Sequence, residues 1–330
     1  MFDDILLEDL AASPPQVWAQ RNEQAEVIGP LASLSKLTVA DAERARAELQ
    51  ISRRYLYQLV KARRERLNGL PARGHGTGAQ FHIDECQERI IAQAIDRAGP
   101  AARHRDVLAL AMSMSEQVGI APPSEKAVRV RFGKHRPNID LASRFKLECD
   151  YIADLCPLGL ALADEKGEAD AWLFAAVESN RCTIITHDLY IGKPSRHQLL
   201  ASLANAAAAP DFAGRPLSLS AAVEAYNLVD LSLDNGAELR RPSRGKAIVG
   251  GSIIKAVCGS SLGRIRIRTE PSRRSGYRPV TLRLAATVVG RLISELNSCR
   301  EIRQRHPTSR GHLPPPQRQE QKAAGAGAQT

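Results

Sequence analysis

The stretch NGLPARGHGTG at residues 68–78 limits the possible folds more than any other feature of the chain. Four glycines raise the entropic cost of any regular element, and Pro71 removes a backbone donor, so neither helix nor strand can run through it. Gly99-Pro100 and Pro122-Pro123 add further breaks, and the segment around Pro137 marks a change of texture. A chain of 330 residues divided in this way is expected to fold as several small units, each with its own core. The expected division is a leader over 1–24, a helix-turn-helix unit over 25–70 and a linker over 71–83. A second helical unit over 84–137, an α/β core over 140–300 and a disordered Pro/Gly/Gln/Ala-rich tail over 301–330 follow.

The 25–70 unit carries the spacing of a helix-turn-helix. Ala45 and Leu49 lie one turn apart on a helix from about Val39 to Leu49, and Ile51 fills the turn. Leu56, Leu59 and Val60 form the inner face of a second helix from about Arg53 to Leu67, which Ser52 is placed to cap. Gln50 stands where a glycine often makes the turn. Arg53, Arg54, Tyr57, Gln58, Lys61 and Arg64 then fall largely on outer faces, where Arg and Gln can read base edges and Lys and Arg can hold phosphates. The other reading of these residues is a helical hairpin with a solvated basic face. In the second unit, helices are expected over Glu85–Arg97, Arg103–Val118 and Ser124–Phe132, the last displaying Lys126 and Arg129 with Arg131 and Lys134. Two such lobes on a linker can cover a long site at high effective concentration.

Charge agrees with a polyanionic partner. The formal net charge is +10, and it is concentrated: residues 53–73 hold seven Lys/Arg against one acid, and 240–310 hold 17 against three. Double-stranded DNA is the expected partner. No apolar run is long enough for a membrane span and the N-terminus has no signal-peptide core, which points to a cytoplasmic, nucleoid-associated protein. The six cysteines form no CxxC pair, and reduced thiols are expected.

Past Pro137, β-type runs are expected over Arg144–Ala153, Leu158–Ala163, Ala171–Val177, Cys182–His187, Val229–Leu233 and Arg264–Arg268. Helical stretches lie at Arg196–Ala209, Ser218–Tyr226 and Val280–Cys299, a pattern of α/β type. Arg264, Arg266 and Arg268 alternate and so share a face, which either meets DNA or faces water. His187-Asp188 reads as a polar pair on a strand, with no third partner at metal spacing.

One short segment is distinctive. Leu231-Ser232-Leu233-Asp234-Asn235-Gly236-Ala237-Glu238-Leu239 places a carboxylate at the end of an apolar run, before a tight turn. Upstream, Leu147–Asp154 carries Asp150 in an apolar run; between them lie Ala171–Arg181 and the Pro194-Ser195 helix start. Together these resemble the catalytic core of DDE transposases and integrases of the bacteriophage Mu type, over about Ala25 to Asn297. The resemblance implies an RNase H-like core behind two small all-α helix-turn-helix domains, and Mg²⁺-dependent strand cleavage and transfer at element ends. Two Mg²⁺ ions about 3.5–4 Å apart, held by carboxylates, would activate the attacking and stabilise the leaving oxygen. It implies Asp150 and Asp234 as metal ligands and catalytic residues, with a Glu opening a later helix. In register, Leu282 occupies that Glu position; Glu270 matches by distance, and Glu295 lies further along the helix. The chain would act as a homo-oligomer on DNA, with other transposition proteins as possible partners. The alternatives are a catalytically inactive, transposase-derived DNA-binding regulator or assembly partner, and a basic regulator with an unrelated α/β half.

Overall fold

The computed structural model describes residues 3–69, 84–98, 102, 104–135, 141–145, 149–165, 167–210, 212, 215–228, 238–240, 248–271 and 278–305. The linker over 71–83, the Val229–Leu233 run, Asp234 and residues 306–330 of the tail fall outside them. Described residues 301–305 continue the last helix.

Residues 3–24, expected as a leader, are folded into the protein. Asp3 caps α1 (Asp4–Ala11) by accepting from the Ile5 amide at 2.8 Å, and a single turn over Pro15–Val17 leads into α2 (Trp18–Ser33). Leu6, Leu7, Leu10 and Trp18 enter the largest core of the protein, and the Trp18 indole donates to the Ser13 carbonyl at 3.1 Å. Hydrophobic burial on one stripe of a short helix outweighs its polar composition.

α3 (Val39–Leu49) and α4 (Arg53–Leu67) pack on α2 around Ile28, Ala42, Ala45, Leu56 and Val60. Thr38 and Ser52 cap the two helices through the amides of Asp41 and Tyr55, each at 3.2 Å. Gln50 ends α3 in the left-handed region at φ 52°, where glycine would be unstrained. The second unit is three helices, α5 (Glu85–Ala98), α6 (His104–Val118) and α7 (Glu125–His135), around Ile91, Ala94, Ile95, Val107, Ala111 and Val128. Ser124 caps α7 through the Ala127 amide. A short helix, α8 (Leu141–Phe145), stands where a strand was expected to begin.

The remainder is a mixed sheet flanked by helices. β1 (Tyr151–Asp164), β2 (Gly167–Glu178) and β3 (Thr183–Ile191) form an antiparallel meander. α9 (Arg196–Ala207), which starts at a Ser195/Gln198 capping box, leads to β4 (Leu217–Leu219), parallel to β1. α10 (Ala221–Glu224) follows, and β5 (Leu239–Arg240) pairs parallel to β4. The strand order is β3-β2-β1-β4-β5. α11 (Ser252–Cys258) precedes a small hairpin, β6 (Ser261–Leu262) and β7 (Ile265–Arg266). β8 (Val280–Thr281) pairs with the far end of β1 and feeds α12 (Leu282–Arg305). One face of the sheet is covered by α1, α11 and α12, with Ile152, Leu158, Leu173, Val288 and Val289 inside; the other by α9 and α10, with Tyr151, Phe174, Leu203 and Phe212 inside.

α1 ties the first helical unit to the sheet unit through charge. Arg63 of α4 pairs with Asp3, and Arg66 with Asp9 and, at 2.6 Å, with Glu8. The other oxygen of Glu8 lies 3.2 Å from Arg291 of α12. Burial and the neighbouring Arg66 push the Arg63 guanidinium below its ordinary range.

Candidate functional site

The α4 surface divides into an outer and an inner set. Arg53, Arg54, Tyr57, Gln58 and Lys61 are exposed, with the Arg53 guanidinium 5.8 Å from the centre of the Tyr57 ring. Arg64, expected among them, turns inward. Its Nε donates to the Ala32 carbonyl at 3.1 Å, and Nη2 donates to those of Leu34 at 2.5 Å and Leu31 at 3.4 Å. These carbonyls lie at the C-terminal end of α2, where the Leu31 carbonyl also accepts from the Leu34 amide at 3.4 Å, so the guanidinium caps a neighbouring helix rather than facing outward. On α7, Lys126 and Arg129 are exposed, and Arg129 holds Glu125 at 2.7 Å. His104 and Arg129 together keep the Glu125 carboxyl below its usual range, Arg129 most strongly.

In the sheet unit, Asp150 immediately precedes β1 and is about half exposed. It pairs with Arg215 at 3.2 Å and accepts weakly from Asn180 at 3.4 Å. Glu270 is exposed, beyond β7. The Arg268 amide donates to the Pro157 carbonyl at 2.9 Å, which anchors that segment seven residues along β1 from Asp150. Leu282 opens α12 and packs against the core, and Glu295 pairs with Arg291 at 3.1 Å. Among the described residues no three His, Cys, Asp or Glu side chains could jointly hold a metal ion. Asp234, the other ligand the resemblance implies, lies outside the described residues.

The carboxylate at the centre of the sheet is one that sequence reasoning passed over. Asp154 lies on β1, next to Ala153, which pairs with Leu219 of β4, and it is fully buried. Oδ1 accepts from the amides of Leu155 at 2.9 Å and Gly251 at 2.8 Å; Oδ2 accepts from Ile253 at 3.0 Å and Ile254 at 3.1 Å. The last three amides open α11, so the carboxylate meets the positive end of a helix. Burial pushes this carboxyl above its ordinary range, and the Gly251 amide, the Ser220 side chain and the Ile254 and Leu155 amides oppose the shift. Gly251 adopts φ +77°, and a Cβ there would lie 2.8 Å from the Cys156 Cβ, so a side chain would prevent this approach. The Ser220 side chain, just after β4, is buried beside this carboxylate.

His187 of β3 faces α12 beside Gly290, and burial lowers its pKa. Asp188 points the other way, accepting from Ser202 of α9, whose hydroxyl also meets the Tyr190 phenol. This buried chain joins α9 to β3. Among the described residues no helix is long and apolar enough to cross a membrane. Neither the family models nor the curated proteins contain a match to this chain.

Proposed function

We propose that the chain is a DNA-binding protein of the DDE transposase/integrase type, gripping duplex DNA through α4 and α7 ahead of an RNase H-like core. The observation that carries this reading is the sheet: an antiparallel β1–β3 meander, a crossover helix, then β4 and β5 parallel to β1 in the order β3-β2-β1-β4-β5. That is the strand order of the RNase H-like fold, and helix-turn-helix lobes before it match the Mu-type arrangement. Exposed Arg53, Arg54, Tyr57, Gln58 and Lys61 supply base-edge and phosphate donors on one helix.

Specific observations favour the non-catalytic form of this reading, a regulator or assembly partner of a strand-transfer reaction. Asp154, near the start of β1, is committed to four backbone amides, Ser220 follows β4, and a leucine opens α12.

The test combines two assays on the full chain. Fluorescence anisotropy with a labelled duplex should report tight binding that weakens steeply with salt and is reduced by Arg53→Ala/Arg54→Ala/Lys61→Ala. Supercoiled plasmid incubated with Mg²⁺ or Mn²⁺ should remain un-nicked. Nicking that disappears in Asp234→Ala would instead establish the catalytic form. Absence of salt-sensitive duplex binding would remove the whole proposal.

A further inference from the structure

The β6–β7 hairpin presents a second basic surface, far along the chain from α4. Gly263, at φ +57°, and Arg264 make its two-residue turn, with Leu262 paired to Ile265. Leu262, Ile265 and Ile267 enter the core beside α11 and α12. The alternate residues project the other way: Arg264 and Arg266 are exposed and Arg268 is half-buried. A Cβ at Gly263 would lie 2.9 Å from a Leu292 methyl, so the hairpin tip is pressed against α12. Beneath the strand, a Cβ on Gly159 would come within 3.2 Å of the Arg266 Cβ. Glycine at this point of β1 lets the arginine-bearing strand lie flat, held by the Leu158–Ile267 bridge and the Arg268–Pro157 hydrogen bond.

Among the described residues no acid pairs with these three arginines, whereas Arg63, Arg66, Arg129, Arg131, Arg215 and Arg291 each hold a carboxylate. Three arginines on one short, core-anchored hairpin segment, none of them paired to an acid among the described residues, form a site for an extended polyanion with regularly repeated charges. Guanidinium pairs with phosphate in a two-pronged fashion, and releasing condensed counterions supplies the free energy. We infer that Arg264, Arg266 and Arg268 form a second phosphate-backbone contact on the sheet unit for the same duplex that α4 holds. This inference rests on the DNA-binding reading above and adds a sequence-independent contact to it.

The salt dependence of binding tests the contact. The logarithm of the association constant falls with the logarithm of salt by about 0.9 per phosphate neutralised. For the full chain on a labelled duplex, Arg264→Gln/Arg266→Gln/Arg268→Gln should therefore make the slope shallower by up to about 2.7. The corresponding Lys triple variant, which keeps the charge, should retain most of the parent slope, and circular dichroism should be unchanged in both. An unaltered slope and affinity in the Gln triple variant, while the α4 triple variant loses binding, overturns the hairpin contact and leaves the DNA-binding proposal standing. Failure of the parent chain to bind duplex overturns both.

Discussion

Replacing Asp154 by Asn separates an anchoring role for this acid from any need for its charge at a reaction centre. Each carboxylate oxygen accepts two backbone amides. An asparagine keeps one acceptor oxygen and turns an NH₂ toward the other two donors, so two buried N–H groups lose their acceptor. At about 1–3 kcal/mol for each buried donor left unsatisfied, the variant should lose roughly 4 kcal/mol of stability. Asp154→Ala strands all four amides and should lose at least as much. Urea unfolding, followed by the fluorescence of Trp18 and Trp172, gives the free-energy change. Hydrogen exchange should accelerate selectively at the Gly251, Ile253 and Ile254 amides, because these open α11. If Asp154→Asn stays within about 1 kcal/mol of the parent and those amides keep their protection, the anchoring argument is wrong.

Other consequences can be measured on the same unfolding curve. Leu10→Ala, in a stretch expected to be a leader, should cost about 2–5 kcal/mol because Leu10 is fully buried against the sheet unit; a change under 1 kcal/mol would mean α1 does not dock. Gln50→Gly should gain up to about 1 kcal/mol by relieving the left-handed residue between α3 and α4, and a loss would place a needed side-chain contact there. Arg64→Ala should lower stability, and Arg64→Lys should rescue little, because an ammonium cannot span the three carbonyls at the end of α2; full rescue by Lys would contradict the capping geometry. His187 has a folded pKa below its unfolded value near 6.5, so the unfolded chain binds the proton first as acid is added. Stability should therefore fall as pH drops below about 6.5, and His187→Phe should flatten that dependence in a pH series of melts.

Legibility from sequence followed the range of the interactions. The α3–α4 pair was readable because its period, its Ser52 cap and its Ile51 plug all lie within about 20 residues of each other, and the α5–α7 boundaries were marked by prolines and a serine cap. β1 was read as two runs, because Asp154 and Pro157 interrupt the apolar pattern; in the folded chain a register shift between Pro157 and Ala161 lets one strand continue. β4 was hidden because Leu217–Leu219 is short and Ser218 resembles a helix cap; the cap position of α10 is Ser220. Asp154 could not be recognised as an anchor, since its partners lie about 100 residues downstream in a glycine-rich stretch with no periodic signal. Its only local mark was an acid set among apolar strand residues. The stripe Leu6, Leu7 and Leu10, which is buried in the folded chain, was passed over because Pro14 and Pro15 made the segment read as a leader. Arg64 shows the limit for surface residues: composition cannot tell a guanidinium that faces a ligand from one that closes a neighbouring helix.

Glu8 lends one oxygen to Arg66 and the other to Arg291, so a single exposed carboxylate is shared by two modules encoded more than two hundred residues apart. Such a joint is adjustable: ions in the surrounding buffer loosen it, and a stronger anion near either arginine competes for it. How α4 sits against the sheet is thereby coupled to the ionic surroundings, and a change in α1 can shift the placement of a surface it does not touch.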